Sequence, residues 1–324
     1  MTRVYITIGI PASGKSTYSK NRVKDINGRA IRFSSDDIRK AYNEPDHAEV
    51  FRIMRKGLRE AVESNYYDEI YYDATNVNRR RRRSLYREIK SWDKEAEVFG
   101  VFFSIPLFES LKRNSERNAD EKVPEHTVLR MHRQLQVPRV DVDCDEIIVK
   151  GIPIFEEVDN SVEEPTGFME IFNNMNHSNK SRHWVAEIWL SNNPHSCPPW
   201  HLEDINEHID MCIENADSSK FKQIALFHDL GKGITKQTDE TGYATYRGHA
   251  DVGAHYLLNY LGLTKYKNKS IPDMELDMTE VVHQHMNQHN GLGEKNIRNN
   301  NLTENIQQDL IKFAEIDSMS KITE

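Results

Sequence analysis

The strongest constraint on this 324-residue chain lies at residues 4–18, where the β-rich run VYITI meets Gly9-x4-Gly14-Lys15-Ser16 and then a helix-forming segment. A strand that runs through a glycine-rich turn into a helix presents free backbone N–H groups at the helix start, a ready seat for an anion. In that arrangement the N–H groups of residues 10–15 wrap a β-phosphate, Lys15 reaches the β and γ oxygens, and the Ser16 hydroxyl holds Mg²⁺. Gly9, Ser13, Gly14, Lys15, Ser16 and Thr17 are therefore the expected nucleotide-binding residues, with ATP or GTP as the phosphate donor. The loop alone does not name the acceptor.

The rest of residues 1–150 continues the same alternation. Further β-rich runs stand at 30–34, 69–74, 97–103 and 146–150, and segments with helical spacing, such as Tyr18–Asp25, Phe51–Asn65 and Arg80–Ser91, lie between them. This pattern predicts an α/β domain, a parallel sheet flanked by helices, over residues 1–150. Residues 151–167, acidic and containing proline, read as a linker. Over 168–324 the strand signals vanish and helical stripes take over, which predicts an all-α domain.

Composition separates the two halves further. Residues 1–150 hold 29 Lys and Arg against 24 Asp and Glu, whereas the remainder holds 14 against 27. Three histidines precede residue 150 and eleven follow it. A basic front half suits a polyanionic substrate, and an acidic, histidine-rich back half suits cations. No run approaches the ~18 apolar residues of a membrane span. The start lacks a signal-peptide pattern. The three cysteines, Cys144, Cys197 and Cys212, have neither metal-type nor disulfide-framework spacing, so a reducing cytosolic compartment and no membrane partner are expected.

Three further stretches of the first half carry chemistry. SSDDIR (34–39) follows the second predicted strand, so Asp36 opens into the crevice that holds the phosphate loop. There its carboxylate can accept a hydroxyl proton, and Arg39 can grip a phosphate on the acceptor. A helix N-cap at Ser35 or Asp36 accounts for the acidic pair equally well. In DATNVNRRRRR (73–83), Asp73 ends the third strand at the same crevice. The five arginines can contact a nucleic-acid backbone, although a solvated first turn of helix explains most of them as well. LKRNSERNADEKVP (111–124) reads as a helix with Arg113 and Arg117 on one face, able to offer arginine to a transferring phosphoryl group.

Taken in order, GIPASGKST, SSDDIR, DATNVN with its arginines, and KRNSERN…VP resemble the kinase domain of bacteriophage-type 5′-polynucleotide kinases over nearly all of residues 1–140. The resemblance implies Asp36 as general base on a 5′-OH, and Arg39 as binder of the adjoining 3′-phosphate. It implies Arg117, assisted by Arg113, as stabiliser of the γ-phosphoryl transition state, and Asp73 as an active-site carboxylate on the acceptor side. Ser35 stands where that family is expected to have a basic residue.

The second half lacks the DxDGT phosphatase motif that usually accompanies such a kinase. Helical spacing instead puts His208 on a stripe with Ile205, Ile209 and Cys212. His228, next to Asp229, follows Phe221, Ile224 and Ala225. His285 follows Met278, Val281 and Val282, and Asp317 follows Ile306, Leu310 and Phe313. One inward histidine is commonly a hydrogen-bonded core residue. Several helices that each turn a histidine or aspartate inward are better explained by a metal, of the Mn, Fe, Co, Ni, Zn or Mg kind. The order His208…His228-Asp229…Asp317, with DLGKG after the pair, resembles the HD phosphohydrolase superfamily over about residues 198–320. That resemblance implies a first ion on His208, His228, Asp229 and Asp317, and a second on His249 and His285. His283 leaves that stripe, but the stripe by itself does not say which of His285 and His283 is the ligand. WHLEDINEH and GHADVGAH resemble the HD domains attached to transfer-RNA nucleotidyltransferases.

The two resemblances together imply a bifunctional end-healing enzyme of a bacterium or a phage-infected bacterium. It would phosphorylate 5′-OH ends of RNA, with DNA as the other option. It would also hydrolyse 2′,3′-cyclic phosphate or phosphomonoester ends, work beside an RNA ligase, and allow for a homo-oligomer. The competing readings are a small-molecule or nucleoside kinase fused to a nucleotidase, and a non-catalytic binder of nucleotide and metal.

Overall fold

A computed structural model describes residues 1–25, 29–43, 46–154 and 205–321. Met1–Met131 with Pro138–Gly151 form one compact unit, and His132–Val137 with Ile152–Glu324 form another. The predicted linker from residue 155 onward lies outside the described residues.

The first unit is a parallel five-stranded sheet. Its strands are β1 (Arg3–Ile8), β2 (Ala30–Ser34), β3 (Glu69–Asp73), β4 (Glu97–Ser104) and β5 (Glu146–Gly151), in the order β2-β3-β1-β4-β5. All five strands that the sequence predicts are present. Burial on both faces explains their near-continuous apolar runs: Val4, Ile6, Ile70, Tyr71, Val101 and Phe102 are fully buried. Tyr5 stacks between Tyr71 and Phe99, with both centroid separations 4.9 Å. Helices α1 (Lys15–Asp25), α2 (Ser35–Ala41), α3 (His47–Glu63), α4 (Arg79–Trp92), α5 (Leu107–Ser115) and α6 (Glu125–Arg133) connect and flank the strands. Because β1 has β3 on one side and β4 on the other, the connections leave its carboxyl end in opposite directions and open a crevice there.

Two local expectations change. The arginine block splits, for Arg79 and Arg82 are buried while Arg80 and Arg81 are exposed. Arg82 donates from Nε to Asp143 Oδ2 at 2.7 Å and from Nη1 to the Asn76 carbonyl at 2.7 Å. It therefore ties α4 to the turn before β5 and to the loop after β3, where a nucleic-acid contact was one option. LKRNSERNADEKVP is also not one helix. α5 ends at Ser115, and Asn114 holds the following segment by two bonds to Val123, at 2.7 Å to its carbonyl and 3.1 Å from its N–H. Arg117 thus projects from a turn.

The second unit is helical, with α7 (Ile205–Asn215), α8 (Ser219–His228), α9 (Lys232–Thr235), α10 (His249–Asn259), α11 (Asp273–His289), α12 (Glu294–Asn300) and α13 (Glu304–Met319). A π-helical turn spans Tyr260–Lys265. The expectation of an all-α domain misses one antiparallel pair, Gln237–Thr238 with Ala244–Thr245. Strands of two residues carry no readable alternation; a turn in which Asp239 Oδ1 accepts from the Thr241 and Tyr243 N–H groups shapes the hairpin. α8 packs against α7, α10, α11 and α13, so whatever ends α8 sits amid four helices. Two glycines permit the close approach. A Cβ on Gly231 would lie 2.2 Å from the His249 carbonyl oxygen, and one on Gly253 would lie 2.3 Å from that of Phe227. Among the described residues no helix is long and apolar enough to cross a membrane.

Removing one partner of a buried ion pair strands the other charge, at a cost of about 3–5 kcal/mol. Asp143→Ala is therefore expected to destabilise the first unit by that amount and to accelerate amide exchange across α4, read by hydrogen-exchange mass spectrometry.

Candidate functional site

Each unit carries its own site. In the first, the chain leaves β1 through Gly9, whose φ of +155° and a virtual Cβ 2.9 Å from the Phe103 carbonyl oxygen admit only glycine. Gly9 lies behind the loop and does not line the cavity, so its contribution is the turn itself. Pro11 through Thr17 do line it, in a cavity of about 540 Å³. Lys15 is buried and donates from Nζ to the Ile10 carbonyl at 2.6 Å and to Ser13 Oγ at 3.2 Å. Burial lowers its pKa to about 8, against the upward pull of Asp73 and Asp36.

The same cavity receives Asp36, Arg39, Asp73, Arg113 and Arg117. All six side chains expected to act in phosphoryl transfer therefore line one cavity, although they come from α1, α2, β3, α5 and the turn after α5. Local folding explains Asp36. Ser34, still extended (φ −117°, ψ 128°), caps α2 by accepting from the Asp37 N–H at 3.3 Å. Ser34 is thus the N-cap, which neither Ser35 nor Asp36 is, and the Asp36 carboxylate is left exposed in the first turn. It accepts from Arg39 Nη1 at 3.0 Å. Asp73 is buried, and its Oδ2 accepts from Ser19 Oγ at 2.9 Å and from Arg32 Nε at 2.8 Å. Sequence reading missed Arg32, and also Arg130, His47 and Phe51 on the cavity wall. Five lysine or arginine cations face two carboxylates here, a balance that suits more than one phosphate.

In the second unit the expected ligands also converge. His208, His228, Asp229, His249, His285 and Asp317 are all buried. Each histidine turns Nδ1 to a backbone carbonyl: His208 to Ser320 at 2.9 Å, His228 to Ala225, His249 to Tyr246 and His285 to Val282, each at 2.7 Å. These bonds place the Nδ1 proton outward and aim four Nε2 atoms at a common centre. There the Nε2 atoms of His208 and His228 lie 3.4 Å apart, and those of His249 and His285 lie 3.2 Å apart. For the neutral His249 and His285 two facing lone pairs repel unless a cation sits between or beside them, so the donor set fits a metal. Asp229 bridges the two pairs. Its Oδ2 is 3.3 Å from His228 and 3.6 Å from His208, and its Oδ1 is 3.5 Å from His249. Asp317 Oδ1 lies 2.9 Å from His208.

The charge states agree with such a centre. Burial holds His249 below its ordinary value and His285 well below it, keeping both imidazoles neutral. Burial opposes ionisation of Asp229, but the charges of His228 and Lys232 outweigh it and hold the carboxylate well below its usual range. Asp317 is lowered in the same way, its burial outweighed by hydrogen bonds from His208 and His289. His208 is disfavoured as a cation by burial, yet the bond to Asp317 raises it to about 10, so a proton shared with Asp317 has to leave before its Nε2 can serve as a ligand. His285, rather than His283, faces the site; His283 Nδ1 lies 2.8 Å from Asp251. Cys212 and His289 escaped the sequence reading as members. Cys212 groups with His208, His228 and Asp317, and His289 Nε2 lies 2.5 Å from Asp317.

Residues 4–138 match the family described as AAA domain, and residues 200–320 match the HD domain family. The chain therefore joins a P-loop kinase-like domain to a helical HD domain, the pairing expected from the motifs. Among solved structures, one of a Pnkp1/Rnl/Hen1 RNA repair complex is 22% identical, over 50% of this chain and 53% of that one, with a TM-score of 0.34. A fungal RNA kinase is 15% identical over 54% and 82%, with a TM-score of 0.35. A gluconokinase from Sinorhizobium meliloti 1021 is 13% identical over 46% and 83%, with a TM-score of 0.33. This chain spans 39% and 53% of the two Pnkp1/Rnl/Hen1 chains it matches.

Two outcomes follow from this geometry. If Lys15 holds phosphate as a cation, nucleotide affinity should be flat below pH about 8 and fall about tenfold per unit above it; Lys15→Arg should remove the bend, as read with a fluorescent nucleotide. Asp229→Asn should weaken metal retention by about tenfold or more, whereas His285→Ala, which removes a donor from one of the two groups, should weaken it less. Metal content after dialysis checks this.

Proposed function

We propose that the first unit transfers the γ-phosphate of ATP or GTP to the 5′-OH of a broken RNA strand, and that the second hydrolyses the 2′,3′-cyclic phosphate or monophosphate at the other side of the break. The observation that carries the reading is the convergence of Lys15, Asp36, Arg39, Asp73, Arg113 and Arg117 on one cavity, in the order of motifs that resembles the polynucleotide kinases. In this mechanism Asp36 takes the proton of the attacking 5′ hydroxyl as its oxygen bonds to the γ phosphorus and the bond to the β-bridging oxygen breaks. Lys15 and the loop N–H groups hold the β and γ oxygens. Arg117 and Arg113 meet the charge that spreads over the equatorial oxygens, while Arg39 holds the phosphate 3′ to the acceptor nucleoside. Ser16 would hold Mg²⁺, which when bound neutralises the β- and γ-phosphates.

In the second unit, one or two divalent ions held by the histidines and aspartates would supply Lewis acidity and an acidified water. His208, His228, His249 and His285 orient their Nε2 atoms through the Nδ1 bonds, and Asp229 spans the two histidine pairs. Lys232, 2.6 Å from Asp229 Oδ2, balances charge beside it. A basic first unit and a metal-binding second one answer the two lesions of cleaved RNA, which supports an RNA acceptor and an RNA ligase as the next actor.

Incubation of an RNA bearing 5′-OH and 2′,3′-cyclic phosphate ends with γ-labelled ATP and a divalent ion tests both halves. Label should enter the 5′ end, and the cyclic phosphate should open. Asp36→Asn should cut labelling at least about 100-fold and spare hydrolysis; Asp229→Asn should do the reverse. Labelling of free nucleosides in preference to RNA ends would overturn the acceptor assignment.

A further inference from the structure

Two aromatic side chains stand on the cavity wall with no part in the chemistry above. Asp46 caps α3 by accepting from the Glu49 N–H at 2.8 Å, which fixes where the helix begins. His47 and Phe51, four residues apart, then share one helix face, and their rings lie 4.8 Å apart at a 57° tilt. His47 is exposed and Phe51 half-buried, and both line the cavity beside Asp36 and Arg39. Val50 and Met54 of the same helix are buried in the core, so the aromatic pair is not needed to anchor α3.

The sheet order says which ligand reaches this pair. The phosphate loop follows the central strand β1. Arg113 and Arg117 follow β4 on one side, whereas Asp36, Arg39, His47 and Phe51 follow β2 at the opposite edge. The donor phosphates therefore enter from the loop, and the hydroxyl that Asp36 deprotonates comes from the β2 side. The nucleoside carrying that hydroxyl extends away from the loop, its 3′-phosphate toward Arg39 and its base toward α3. Aromatic faces beside guanidinium groups suit a stacked base. Arg81 Nη1 lies 3.4 Å from His47 Nε2. An arginine can only donate, so that contact calls for a neutral ring. Partial burial and the charges of Arg39 and Arg81 also hold His47 below its ordinary pKa.

We propose that His47 and Phe51 form the seat for the 5′-terminal nucleobase of the acceptor strand. The inference rests on the polynucleotide kinase reading and adds to it the means by which a polynucleotide end is told from any other hydroxyl. Stacking tolerates all four bases, which suits an enzyme acting on ends of any sequence.

The test compares two 5′-OH oligonucleotides, one normal and one abasic at its first position, against the full-length protein and Phe51→Leu. Removing the stack should raise the KM of the wild type for the abasic acceptor about tenfold. Phe51→Leu should raise the KM for the normal acceptor by a similar factor, leave that for the abasic acceptor within about twofold, and leave the KM for ATP unchanged. Phe51→Tyr should restore the normal acceptor. Equal use of both acceptors by the wild type, or an equal loss on both in Phe51→Leu, would overturn the seat while leaving the kinase reading intact. Phosphorylation of neither acceptor by the wild type would overturn both.

Discussion

An ionised carboxylate taken out of water costs several kcal/mol unless a cation meets it, and both units are built around that need. In the first, Asp73 is buried at the end of β3, where Arg32 and Ser19 satisfy it. Its field also offsets part of the burial cost of Lys15, which keeps that lysine a usable cation near neutral pH. In the second, Asp229 and Asp317 are buried among four imidazoles and Lys232. One carboxylate thus supports the buried lysine of the phosphate loop, and the other two complete a donor set that fits a metal.

The chain's organisation was legible because each half repeats one pattern. Five β-rich runs fell where five parallel strands form, since strands buried on both faces cannot hide their apolar character. Histidines at helical spacing with apolar partners proved to be the inward-facing ones; the stripe of Met278, Val281 and Val282 favours His285, and its Nε2 beside that of His249 separates it from His283. What the sequence hid is tertiary. Nothing local marks Ser34 as the N-cap in place of Ser35 or Asp36, because the choice depends on where β2 stops. The end of α5 at Ser115 follows from Asn114 clamping Val123 across eight intervening residues. Arg82 looked like its neighbours until Asp143, 61 positions away, gave it a buried partner. Arg130, His47 and Phe51 reach the cavity from helices that carry no motif of their own.

These features support one division of labour. The first unit gathers cations around a phosphate loop and leaves an exposed carboxylate, Asp36, on the wall of the same cavity. The second fixes four imidazoles by their outer nitrogens, so that their inner nitrogens are committed before any ion arrives. Preorganisation of this kind removes the cost of arranging charge at the moment of reaction. On the proposed function, one chain with both sites would treat the two ends left by a single break.

The most direct measurement is mass spectrometry of a two-ended RNA substrate, carrying a 5′-OH on one fragment and a 2′,3′-cyclic phosphate on the other, after incubation with the full-length protein, ATP and a divalent ion. The account predicts that the first fragment gains one phosphate, while the second gains water or loses its phosphate. Unchanged masses for both fragments, with ATP consumed on free nucleosides, would contradict it.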